Sequence, residues 1–310
     1  MKKTVKILLS VLLLTTAVLL ALNYRADIPI EKLKKKYTLP ASKFMKLRGM
    51  NVHYAVEGRG FPLVLIHGTS SSLHTWNEWT DTLKKHYKII RLDLPAYALT
   101  GPKKNHDYSE KWYDEFLSDF LTRLKITSCF MAGNSRGGAI AWYFALQHPN
   151  QVKGLILIDS AGYPYNLPRP LVFRIAVTPG LNSFFKNFTS RYLVEKSLME
   201  VYGDDSKITP ELIDRHYALT LREGNRDAFI ARTVDQKPYS EKRISEIKCP
   251  TLIMWGGKDP WIAPEKAERF KKDIAGSKII IYPGAGHVPM EELPEPTVRD
   301  ALAFLKNLKH

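Results

Sequence analysis

The feature that most constrains this chain is a serine with a glycine two residues away on either side, in Gly133-Asn134-Ser135-Arg136-Gly137. It follows an apolar run, Cys129 to Ala132, that reads as a buried strand, and it precedes a segment of helical spacing that begins near Ala139. A strand that turns directly into a helix needs a tight bend. The residue at the apex is held in a strained backbone conformation, and side chains two positions before or after it would collide, so glycine is required at both places.

The rest of the chain repeats that strand-to-helix step. From about residue 44, short apolar runs alternate with longer amphipathic segments, as expected of an α/β fold with a mostly parallel sheet covered by helices. Asn51 to Glu57 alternates like a half-exposed strand, whereas Leu63 to Ile66, Lys88 to Leu92, Gly154 to Ile158, Thr251 to Trp255 and Lys278 to Tyr282 read as buried strands. Glu110 to Leu124, Ala139 to Gln147, Glu265 to Lys272 and Thr297 to Leu308 carry apolar residues at three- and four-residue intervals and read as helices. Between Gly162 and Ile247 the strand pattern lapses into short helical pieces broken by proline and glycine. This 162–247 stretch is a candidate helical cap, and its aromatics, including Tyr163, Tyr165, Phe173, Phe184, Phe185, Phe188, Tyr192, Tyr202, Tyr217 and Phe229, can pack it and line a pocket. The core then comprises 44–161 and 248–310.

Composition enters through its distribution. The formal charge is +15, and residues 1–48 contribute nine of those charges. No nucleic-acid signature with interleaved aromatics occurs in the remainder, so a basic segment beside a membrane explains the balance and a nucleic-acid partner is not expected. Residues 1–6 form a basic N-terminus and Ile7 to Leu22 is uncharged. That layout is a transmembrane anchor or a signal sequence, followed by a basic linker over 23–43. As a helix the run spans about 24 Å, marginal for a hydrocarbon core of roughly 30 Å. The small-residue sites that a signal peptidase needs are poor, with Leu19 and Tyr24 at the third position before cleavage, so an uncleaved single-pass anchor is expected, with secretion as the alternative. The catalytic domain is expected on the extracytoplasmic side. The two cysteines, Cys129 and Cys249, sit beside apolar runs and read as buried thiols.

Serine is a weak nucleophile at neutral pH, so the bend at Ser135 calls for a histidine base and a carboxylate to orient it, in the chain order serine, acid, histidine. Asp259 follows the strand ending at Trp255, and His287 follows the next strand in Gly284-Ala285-Gly286-His287. A carboxylate and an imidazole after the last two strands meet at the carboxyl edge of the sheet. His67-Gly68-Thr69 ends an earlier strand, and the backbone amides of Thr69 and Arg136 are candidates for the pair that binds a tetrahedral oxyanion. His67 is read as bracing its loop, and His53, His86 and His106 have no supporting context. Asp159 also follows a buried strand and is the competing acid. Its place in Asp159-Ser160-Ala161-Gly162 suits bonding to turn amides instead. No H-E-x-x-H, paired C-x-x-C, G-x-G-x-x-G or phosphate-binding lysine loop is present, so no cofactor or metal is expected.

With those motifs in place, the chain from about Asn51 to Leu308 resembles the α/β-hydrolase superfamily, in its single-domain bacterial branch. The resemblance rests on His67-Gly68, Arg91-Leu92-Asp93-Leu94-Pro95, the bend at Ser135, Leu157-Ile158-Asp159, Cys249-Pro250-Thr251-Leu252-Ile253, Asp259, His287-Val288-Pro289 and Glu292-Leu293-Pro294. It implies an eight-stranded sheet with the helical cap inserted after strand six. It also implies a serine hydrolase acting on a carboxylic ester or related acyl compound through an acyl-serine intermediate. The expected substrate is a small acyl molecule, apolar or aromatic. Carbon–carbon bond hydrolases, aminopeptidases, thioesterases and cofactor-free haloperoxidases resemble the chain equally, and a non-catalytic, membrane-tethered binding protein is the reading from another class. Two departures stand out: Ala96-Tyr97-Ala98 replaces a glycine-rich turn, and the residue after the serine, usually uncharged, is Arg136.

Overall fold

The computed structural model describes residues 2–164 and 169–308, without the side chains of residues 2, 16, 17, 19 and 20. Tyr165 and the chain ends at 1 and 309–310 lie outside the described residues. The strands are β1 (Ser42–Leu47), β2 (Met50–Glu57), β3 (Pro62–Ile66), β4 (Lys88–Leu92), β5 (Cys129–Asn134), β6 (Val152–Ile158), β7 (Thr251–Gly256) and β8 (Lys278–Tyr282). They form one sheet in the order β1-β2-β4-β3-β5-β6-β7-β8. Only β1 with β2 and β2 with β4 pair antiparallel; from β4 to β8 every pairing is parallel. Parallel strands leave no room for hairpins, so helices cross the faces and bury them.

The helices are α1 (Lys2–Asn23), α2 (Ile30–Tyr37), α3 (Asn77–Leu83), α4 (Glu110–Arg123), α5 (Arg136–Gln147), α6 (Leu171–Val177), α7 (Leu181–Phe188), α8 (Arg191–Met199), α9 (Pro210–Thr220), α10 (Asn225–Val234), α11 (Glu265–Asp273), α12 (Pro289–Glu292) and α13 (Pro294–Lys306). Phe116 and Phe120 of α4, Trp142 of α5 and Phe270 of α11 fill one face of the sheet; Trp79 of α3 and Leu305 of α13 fill the other. All six are fully buried, and each such side chain contributes about 1.5–3 kcal/mol of transfer free energy. Helices α6 to α10 lie between β6 and β7 and cover the carboxyl ends of the strands.

Several expectations need correcting. β2 is mostly buried, not half exposed, because β1 covers its outer edge and Tyr54 packs on Phe120. The alternation of β1 is blurred by Lys43 and Lys46, charges that suit an edge strand. β8 is the opposite edge and is largely exposed, with Ile281 facing solvent, although its composition reads as interior. Both thiols are free, with Cys129 buried.

The stretch expected as a linker is folded onto the helices after β6. Leu33 and Tyr37, one helical turn apart on α2, are buried, and the Tyr37 hydroxyl donates to the Asp214 carbonyl of α9. Upstream, Arg25 N donates to Asn187 O, Ile28 N to Leu221 O, and Glu223 N to Ile28 O. Asp27 pairs with Arg226 at 2.7 Å and accepts from Gly224 N. Helix α1 beyond this clasp exposes large apolar side chains, Leu8, Leu13 and Leu22 among them. Among the described residues no helix is long and apolar enough to cross a membrane.

Candidate active site

Ser135 sits between β5 and α5 with φ +54° and ψ −119°, a conformation that L residues rarely adopt. Its flanking glycines are enforced by contact. A Cβ on Gly133 would lie 2.3 Å from the Gly137 carbonyl oxygen, and one on Gly137 would lie 2.2 Å from that of Ile66. Ser135 N donates to Ile158 O and its carbonyl accepts from Ala139 N and Ala161 N, so the bend is tied to β6 on one side and its own helix on the other. Arg136 opens α5, and the N–H groups of a first turn have no partner within their helix.

His287 and Asp259 come together as the chain order suggests. His287 Nδ1 donates to Asp259 Oδ2 at 2.7 Å, with both side chains buried. The other carboxylate oxygen accepts from Trp261 N at 2.8 Å and Ile262 N at 3.0 Å, which fixes its plane. This bond leaves the proton on Nδ1 and the lone pair on Nε2. Nε2 is buried without a hydrogen-bond partner, and His287 lines the same cavity as Ser135. The imidazole loop is gripped from three sides. His287 N donates to Val201 O, Asn134 Nδ2 donates to His287 O, and Glu292 accepts from both Gly286 N and Gly203 N.

Asp159 is close by but differently employed. Its Oδ1 accepts from Gly256 N at 2.9 Å, the turn-amide role expected of it, and it makes no contact of that kind to His287. Burial, then the charge of Asp259 beside it, push its carboxyl well above the usual range, whereas Asp259 is the hydrogen-bonded partner of the imidazole. Donor atoms of Asp159, Asp259 and His287 lie within 4.8 Å of one another. Within that set His287 Nδ1 and Asp259 Oδ2 are already bonded to each other, the arrangement that orients an imidazole base.

The surrounding loops hang on residues whose roles the sequence hid. His53, which had no context, bridges Ser42 and Asp93, and Asp93 also accepts from Leu73 N and Leu99 N. Burial raises the Asp93 carboxyl, but the charge and hydrogen bond of His53 outweigh it and hold it down to about 2. His67 accepts from Leu94 N and donates to Gly68 O, bracing the Gly68-Thr69 loop as expected. The alanines that replace the glycine-rich turn adopt the left-handed backbone all the same, Ala96 at φ +86° and Ala98 at φ +44°. Trp261 was missed: its ring lies 5.3 Å from that of His287, and only its place two residues past Asp259 hinted at it.

Two cavities meet at Ser135, sharing Thr69 and Trp261. The larger, of about 1060 Å³ and partly open to solvent, is lined by Leu193, Leu198, Val201, Leu219 and, of the expected aromatics, Phe185, Tyr202 and Phe229. Phe173 lines the second cavity, while Phe184 and Tyr192 point outward and Tyr163 is buried against Phe270. Glu291 closes the larger cavity, bonded to the hydroxyls of Thr75 and Tyr202, and burial raises its carboxyl.

The family described as alpha/beta hydrolase fold matches residues 62–294. The 2-hydroxy-6-oxo-6-(2'-aminophenyl)hexa-2,4-dienoic acid hydrolase of Metapseudomonas resinovorans is 27% identical over 281 residues, 88% of this chain and 93% of that relative. Lipase 1 of Psychrobacter immobilis is 29% identical over 300 residues, 92% of this chain and 90% of that one. Among solved structures, a bacterial membrane phospholipase A superposes with a TM-score of 0.74 at 23% identity, covering 99% of this chain and 98% of its own, a likeness of fold.

Proposed function

From the premise that this chain belongs to the α/β-hydrolase family and is a hydrolase, we propose that it cleaves carboxylic esters of apolar acids through an acyl-serine intermediate. The observation that carries this reading is the imidazole whose Nδ1 is bonded to Asp259 while its unpaired Nε2 borders the cavity that Ser135 lines. In the first step the Ser135 oxygen attacks the ester carbonyl and its proton passes to His287 Nε2. Asp259 stabilises the imidazolium and holds its orientation. The oxyanion is received by the amides of Thr69 and Arg136, each such donor being worth about 3 kcal/mol on the transition state. The tetrahedral intermediate collapses, the ester C–O bond breaks, and the imidazolium gives its proton to the departing alcohol. Water then repeats the sequence on the acyl-serine, losing a proton to His287 and releasing the acid and the free serine.

The apolar lining of the larger cavity favours an acyl chain over a peptide or an amino acid. Carbon–carbon bond hydrolysis, the alternative on the same triad, is the outcome to separate from it. A panel of acyl esters of graded chain length, run beside a vinylogous diketone, decides. Ester turnover that disappears in Ser135→Ala, with Ser135 labelled by a fluorophosphonate, is the expected result. Turnover of the diketone alone would replace the ester reading.

The enzyme is also read as anchored by α1, with its catalytic domain on the extracytoplasmic side. The exposed apolar side chains of that helix and the basic residues around it support this, as does a full-length likeness that includes a membrane phospholipase A. Full-length protein should sediment with membranes and resist carbonate extraction. A mature N-terminus near Asn23 or Asp27 would establish secretion instead.

A further inference from the structure

The second cavity at Ser135 differs from the first in its charge: the first has both Arg226 and Glu291 in its lining, whereas the charged residues described in the second are arginines alone. It is lined by Arg136, Arg169 and Arg232, with Thr69, Thr233, Gln236 and Tyr239 as further hydrogen-bonding groups, and no carboxylate is among its described lining residues. Arg232 is the informative one. Its side chain is buried, at 3% exposure, and among the described residues it makes no salt bridge. Nε has no hydrogen-bond partner, and Nη2 reaches Thr233 Oγ1 only at 3.5 Å. The guanidinium lies 5.7 Å from the Tyr97 ring and 5.8 Å from that of Phe229, contacts that stabilise a cation only modestly.

A guanidinium stays charged at any pH the fold survives, and burying one without a counter-charge costs several kcal/mol. Ring contacts of that size offset only part of it. Arg136, also in the lining, is positioned by Tyr108 O at 2.7 Å and the Tyr239 hydroxyl at 3.4 Å, and stacks over Tyr113 at 5.3 Å. Trp261 contributes a third buried donor, since its Nε1 has no partner either. Asp107, Glu110 and Asp235 border a neighbouring outer recess that Arg136 and Arg232 also line, none of the three forms a salt bridge with either arginine, and Glu110 is occupied by Ser240.

We infer that this cavity receives the alcohol part of the substrate and that the alcohol carries a phosphate. The inference rests on the ester reading for its chemistry: the acyl chain occupies the apolar cavity, Ser135 stands at the junction, and the leaving alcohol departs toward Arg232, Arg136 and Arg169. Several guanidinium groups with hydroxyl and amide donors match a dianionic tetrahedral group better than a single carboxylate. The oxygen released from the acyl carbon takes its proton from His287, so the phosphate stays intact on the departing alcohol.

The direct test uses the Ser135→Ala protein, which binds without turnover. In calorimetry, glycerol 3-phosphate should bind and glycerol should not. Adding Arg232→Gln should weaken that binding about tenfold or more, the loss expected of a charge-assisted hydrogen bond, and Arg232→Lys should recover part of it. In kinetics, the ratio of kcat/KM for a hexanoyl glycerol 3-phosphate to that for monohexanoylglycerol should fall about tenfold in Arg232→Gln. Equal binding of glycerol and glycerol 3-phosphate, or binding indifferent to Arg232, overturns the site. Inorganic phosphate binding as tightly as glycerol 3-phosphate, with an unmoved kinetic ratio, overturns its role in substrate recognition. Arg232-dependent binding in an enzyme that cleaves neither ester would leave the anion site standing and remove the ester reading.

Discussion

The loops at the carboxyl edge of the sheet and the helices that cover them are built on different terms. Asp93, Asp259 and the His287 loop are each held by several hydrogen bonds, and the backbone accepts strain at Ser135, Ala96 and Ala98. Over the cavities, α6, α7 and α10 enclose only a small apolar cluster of Ala176, Phe185 and Phe229, and three arginines face the second cavity. A machine for activating a hydroxyl tolerates little variation in position, whereas a surface that selects substrates tolerates much.

The sharpest way to break that contrast is to change one oxygen in the well-braced region. Asp259→Asn should lower kcat by something on the order of 10⁴ with the fold intact, because the amide would stabilise the wrong imidazole tautomer. Asp159→Asn should be far milder, since that carboxyl bonds the Gly256 amide and not the imidazole. Measuring both, with circular dichroism to confirm folding, reverses the assignment if the severities are exchanged. A cut in the covering helices should read differently. Phe229→Ala ought to redistribute kcat/KM among acyl chain lengths by about tenfold or less, while labelling of Ser135 by a fluorophosphonate continues.

Stability sharpens the comparison further. The Asp93 carboxyl is held down to about 2, below its ordinary value near 4, so its contribution is fully present above about pH 4 and is lost as pH falls toward 2. Denaturant titrations should show wild type losing on the order of 2 kcal/mol more than Asp93→Asn across that interval. The smallest effect is expected at Ala96, where glycine removes a left-handed penalty of roughly 1–2 kcal/mol but adds chain entropy. Ala96→Gly should shift Tm upward by no more than a few degrees.

What the sequence disclosed follows the same division. The bend at Ser135 is legible because two glycines and a strand–helix boundary are local features, and Asp259 and His287 are legible because each follows a strand. His53 is not, since its partner Asp93 is forty residues away and only the β2–β4 pairing unites them. The α2 segment reads as a run of charge until Leu33 and Tyr37 are seen to share a face. Arg136 looked like an anomaly beside the serine; it shares the second cavity with Arg232, which lies inside the helical insertion, and no spacing rule joins the two.

The clasp between residues 25–28 and the loop before α10 has a practical consequence for anyone shortening this chain. A version beginning at residue 30 discards more than helix α1. Removing Ile28 strips the bonds to Leu221 O and Glu223 N, and removing Asp27 deprives the buried Arg226 of its counter-ion in the wall of the larger cavity. Trimming for solubility would thus alter the enzyme's taste for chain length, and a preference measured on the truncated form would belong to the truncation.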